Sequence, residues 1–171
     1  MPIIAKNNQR EYTPAPEGLH QAVCVDVVDL GLEETKWGKK EKVRIAWQTE
    51  ATYSDENTQK EKRFVVVSKY TLSLNEKATL RHHLEAWRGK KFTKEELRGF
   101  DLEVLIGANC QLQIIHNIAD DGRTYANIQA VVPLGKGMTK LQPLEYTRVK
   151  DRQTGEEQPE TVPEEDDDLP F

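Results

Sequence analysis

Residues 110–132, CQLQIIHNIADDGRTYANIQAVV, decide the fold. From Cys110, every second residue through Leu112, Ile114 and His116 falls on one side. That period marks a half-buried β-strand. Asp121-Gly122 is the clearest turn in the chain, because an Asp-Gly pair readily takes the left-handed backbone that a tight hairpin needs. Thr124–Val132 then reads as the returning strand, with Ile128, Ala130 and Val132 aligned. Pro133 stops it.

Upstream, the same period recurs twice, and a third run is too apolar to show it. His20–Val28 predicts a first strand, with Val23, Val25 and Val27 on one face and Cys24 and Asp26 on the other. Residues 31–41 read as a polar, glycine-bounded loop around Trp37. Lys42–Ala51 predicts a second strand: Val43, Ile45, Trp47 and Thr49 share one side, and Arg44, Ala46 and Gln48 share the other. Tyr53–Lys60 is read as a hairpin loop and Arg63–Ser68 as a third strand. From Asn75 the period lengthens. Leu80, His83, Leu84 and Trp87 recur at helical spacing, Asn75 is a candidate cap and Gly89 a stop. Thr93 followed by Glu96 resembles a capping box.

Three strands, a helical insert and a hairpin match the element order of the five-stranded Greek-key barrel called the OB-fold. The same order also fits an α+β sandwich. The expected fold is mainly β: a five-stranded OB barrel at 19–140, an N-terminal arm at 1–18, and a linker with an acidic tail at 141–171. Disorder is expected from Thr154 onward.

Charge is unevenly spread. Residues 156–171 carry eight acidic and no basic side chains, so the remaining 155 hold 24 Lys and Arg against 21 acidic residues. A body at +3 is compatible with a polyanionic ligand without requiring one. Cys24 and Cys110 are the only cysteines and lie in apolar stretches, as buried free thiols do. Adjacent His82 and His83 point apart on a helix, and the other histidines are isolated, so neither a metal nor a cofactor is expected. No phosphate-binding glycine loop or nucleophile constellation stands out, and catalysis is not expected. With no signal peptide and no membrane-spanning apolar run, the sequence reads as cytoplasmic.

Binding chemistry is better supported. Lys36, Lys39, Lys40, Lys42 and Arg44 surround Trp37, a pattern that grips phosphates while an indole stacks on a base. Tyr53, Lys62, Arg63 and Phe64 repeat it more weakly, and Lys69 and Tyr70 would extend the track. Arg123 and Tyr125 at the last hairpin would close the groove from the other side. Trp47 alternates with Val43 and Ile45, so its indole serves either the core or a base. No basic recognition helix is present, which favours a single strand of nucleic acid over a duplex.

The chain ends Asp166-Asp167-Asp168-Leu169-Pro170-Phe171. That tip resembles the C-terminal peptide of bacterial and phage single-stranded DNA-binding proteins. The resemblance implies an OB-fold that coats single-stranded DNA, in a phage-type or divergent version. It also implies that these six residues recruit replication, recombination and repair proteins. Assembly varies across that family, so homo-oligomerisation is left open.

Overall fold

The computed structural model describes residues 13–55 and 58–152. The expected disorder beyond Thr154 and the acidic tip lie outside those residues. Five antiparallel strands form one sheet: β1 Gly18–Thr35, β2 Gly38–Ser54, β3 Glu61–Thr71, β4 Asn109–Ile118 and β5 Thr124–Val132. The helical insert falls between β3 and β4, as the change of period predicts. It holds α1, Thr79–Arg88, and two 3-10 turns at Glu96–Arg98 and Leu102–Leu105.

The spatial order is β3-β2-β1-β4-β5. β3 and β5 are therefore edges, and no ladder joins them among the described residues. This corrects the expected OB-fold: the sheet is open. A barrel requires hydrogen bonding to run unbroken around the ring. Here β3 and β5 approach each other, and α1 packs on both. The helix covers the opening where a closing ladder would run. With the barrel goes the resemblance to single-stranded DNA-binding proteins as a guide to the fold, and with it the strand-coating mechanism.

Bulges also correct the faces read from alternation. β1 gains a residue between Cys24 and Asp26 when aligned with Trp47 and Ala46 of β2. The extra residue breaks the two-residue period. Val25 and Asp26 consequently both serve the outer face, while Val27 joins Cys24 on the inner one. A second bulge between β4 and β5 acts likewise. Ala126 and Ile128 face the inner core before it and Val131 after it, so Ala130 and Val132 do not. β2 keeps its predicted faces: Val43, Ile45 and Trp47 lie inside, Ala46 outside.

The inner face is the main core. Trp47 packs beside Trp87 at 5.9 Å between ring centroids. Leu80, Leu84 and Trp87 form the buried stripe of α1. Gly89 ends the helix in the left-handed region (φ 73°), which a glycine adopts without steric cost. Asn75 does not cap it; Ala78 holds that position with no side-chain bond. The Thr93–Glu96 capping box forms in both directions, at 3.0 and 3.2 Å. Its hydrogen bond from the Thr93 backbone, then that from Arg88, lowers the Glu96 carboxyl to about 2.

The outer face carries a smaller cluster, Val23, Val25, Ala46 and Val67, closed by Leu141 and Tyr146. Residues 139–152, of which the sequence reading gives 141–152 to a linker, run across this face as a strap. Side-chain amides hold it as a neighbouring strand would. Gln48 donates to the Leu144 carbonyl and accepts from its N–H, both at 2.8 Å. Asn109 does the same for Leu141 at 3.0 and 2.7 Å. Asp26, 1% exposed, anchors the far end. It accepts from Tyr146 Oη (3.0 Å), Arg148 Nε (3.1 Å) and the Val149 N–H (2.8 Å). Hydrogen bonds from Arg148 to Glu103 and Asp26 push its guanidinium above the ordinary arginine value and hold Glu103 below the usual carboxylate range.

Candidate functional site

The segment read as the first loop is a strand-paired arm. β1 and β2 continue their register to Thr35 opposite Gly38, leaving Lys36-Trp37 as a two-residue turn. The Thr35 hydroxyl donates to the Gly38 carbonyl (2.7 Å) and accepts from the Trp37 N–H (3.1 Å). Gly38 takes φ 103°, a conformation that L side chains rarely adopt. β4 pairs with β1 only from Gly18 to Val23, and β3 leaves β2 after Lys42 opposite Thr71 and a last bond from the Leu72 N–H to the Glu41 carbonyl (2.8 Å). Residues 31–41 therefore form a two-stranded ribbon beyond the body of the sheet. Trp37 (54% exposed) sits at its tip and Leu32 (66%) on its side.

Register changes the meaning of the lysines. Lys40 lies opposite Glu33 and Lys39 opposite Glu34. Glu33 also pairs with Lys69 of β3 at 2.5 Å. The ribbon thus holds three lysines and three glutamates and carries no net charge. Opposite charges directly across strands interact favourably with each other. They leave little field to draw a polyanion from a distance.

The other candidate residues are scattered. Lys42 is 1% exposed and its ammonium donates to Thr71 Oγ1 at 3.0 Å. Trp47 is 1% exposed in the core, and Tyr70 is buried with its hydroxyl 2.7 Å from His83 Nδ1. Burial, reinforced by His82, lowers the pKa of His83. Tyr125 is buried. All four are buried in the fold and offer little surface to a ligand. Arg44 is half-buried beside Lys69. Tyr53 stacks on Phe64 at 4.9 Å, Lys62 pairs with Asp55 at 2.7 Å, and Arg63 donates to the Gln142 carbonyl. Arg123 is exposed near Asp121 at 3.6 Å. Tyr53 lies at the end of β2 far from Trp37, and the Arg123 hairpin extends past the end of β1 opposite the Trp37 turn. One continuous basic-aromatic groove does not form.

Sequence reasoning missed two features. One is the strap anchored on Asp26. The other is a cavity of about 310 Å³ in the helical insert, lined by Leu84, Trp87, Phe100, Val104, Leu105 and Ala108 with Arg88 and Asn109. The apolar spacing of α1 marks part of that wall in the sequence; the rest comes from residues 100–109 folding against it. Cys24 and Cys110 are buried free thiols, and burial pushes Cys24 up to about 12. Neither is a ready nucleophile. Among the described residues no group of three His, Cys, Asp or Glu side chains is placed to hold a metal, and no helix is long and apolar enough to cross a membrane.

Comparison with protein-family models and with curated proteins yields no match to this chain.

Proposed function

We propose that this chain is a non-catalytic interaction module that works through its ribbon arm, and that the arm's partner is a second copy of the chain. The carrying observation is the ribbon itself. Beyond the Glu41–Leu72 hydrogen bond its strands leave both outer edges without a neighbouring strand among the described residues, while an exposed indole marks the tip. Unpaired strand edges are templates for further pairing. Tryptophan is among the residue types enriched at the energetic centres of protein interfaces. A patch with equal numbers of lysines and glutamates is also suited to a two-fold contact, in which the same residues appear on both sides. The acidic tip Asp166–Phe171 is a proposed second attachment point, for other proteins.

Sedimentation velocity of the full chain tests this. The intact protein is expected to associate at tens of micromolar, and Trp37→Ala to shift it to monomer without altering its fold. A monomeric intact protein sinks the proposal. Oligo-dT belongs in the same experiment. If a monomer binds it with salt-sensitive quenching of Trp37, the arm serves nucleic acid and the self-association reading is wrong.

A further inference from the structure

The cavity in the helical insert joins an apolar wall to the guanidinium of Arg88. Six of its eight lining residues are apolar or aromatic. Its volume lies at the lower end of the range for small-ligand sites. Arg88 contributes to the wall and is held rigidly. Its guanidinium lies over the rings of Phe92 (4.7 Å) and Phe100 (5.7 Å), and Nη2 donates to Glu96 at 2.7 Å. Nη1 is buried and has no hydrogen-bond partner among the described residues. A buried N–H left without an acceptor is costly, and an incoming carboxylate would satisfy it with a charge-assisted bond.

We propose that this cavity receives the chain's own Phe171, ring inside, with a carboxylate of the preceding Asp166–Asp168 on Arg88. Three observations select that occupant. The described chain ends close by: Arg148 pairs with Glu103, which adjoins the cavity residues Val104 and Leu105. Phe171 follows Arg152 by 19 positions, which reach about 65 Å at full extension. Charge is complementary as well. Residues 88–100, the segment joining the lining residues Arg88 and Phe100, hold five basic and two acidic side chains, whereas Glu164–Asp168 are all acidic. Tethering supplies the rest, since linked partners meet at effective concentrations on the order of millimolar. The tip would then be stowed at home and released to an outside protein only by competition. This inference stands independently of the arm.

Methyl NMR of the full chain tests it, read at Leu84, Val104 and Leu105. Phe171 is not among the described residues of either core, so Phe171→Ala is expected to leave both cores in place. It should move these signals, and a free peptide of residues 164–171 added to that variant should return them toward the intact pattern. Arg88→Gln should weaken the peptide at least about tenfold, and so should raising salt from physiological to 1 M, where the screening length falls to about 3 Å. Signals identical in the intact chain and Phe171→Ala overturn the proposal. So does an intact-chain pattern that reverts to that of Phe171→Ala on dilution, because the occupant would then be another copy's tail. Trp37→Ala should leave every one of these signals in place, which separates failure here from failure of the arm.

Discussion

The two faces of the sheet are held by different physics. The inner face is closed by large apolar side chains: Trp47, Ile45 and Leu112 from the strands, Leu80, Leu84 and Trp87 from α1. The outer face is closed by a strap whose apolar contribution is small. Its position depends on Asp26, Gln48 and Asn109 reaching backbone atoms roughly 30 to 120 residues away in sequence. Apolar burial is non-directional and tolerates adjustment, while hydrogen bonds to one buried carboxylate are directional and fail together. The inner face should therefore set global stability, and the outer face should set whether the strap stays down.

That contrast can be broken by mutation. Trp47→Ala should have the largest effect, about 3–5 kcal/mol, the usual cost of emptying an aromatic site in a packed core. Chemical denaturation would measure it. A loss under 1 kcal/mol would mean that the inner face is not the core. Asp26→Ala should follow at about 3 kcal/mol, because it removes the acceptor of three hydrogen bonds at a buried site. Hydrogen exchange sharpens the distinction: Val149 and its neighbours should lose protection well before β2 does. Uniform loss across the sheet would show that the strap belongs to the same cooperative unit.

Gln48→Ala should cost about 1–2 kcal/mol and loosen the strap around Leu144. The capping box offers a smaller, pH-dependent check on the inner side. Glu96 has its carboxyl lowered to about 2 in the fold, so its contribution is present above the ordinary glutamate value. It is lost as pH falls through that value toward 2. Glu96→Gln should therefore lower the melting temperature at pH 7, and the difference from the intact chain should vanish near pH 2. Trp37→Ala should change stability least, by no more than about 0.5 kcal/mol, since its indole stands outside both cores. A larger loss would place the arm in the fold rather than at an interface.

Much of the fold was legible in the chain. Cys110, Leu112 and Ile114 show their buried face by alternation alone, and the Asp121-Gly122 turn fixes the partner strand. Gly89 and the Thr93–Glu96 pair mark local backbone geometry that needs nothing distant. Faces failed where a bulge intervened, at Val25 and again before Val131, because an inserted residue is set by the neighbouring strand. The candidate site was less legible. Lys36, Lys39 and Lys40 look like a phosphate grip when read along one strand. Glu33 and Glu34 neutralise that grip once the second strand is laid beside them. Lys42 and Tyr70 carry the right chemistry for a ligand surface but are turned inward by strand pairing and by α1.

By itself the sequence determined five strands, a helical insert and their order, because side-chain period and turn chemistry act over a few residues. Only the tertiary structure decided that the sheet stays open, that Glu33 and Glu34 lie opposite the arm's lysines and that residues 139–152 strap the outer face. Those outcomes depend on register and on contacts between distant segments, where the energy lies in pairs of residues that no local pattern joins.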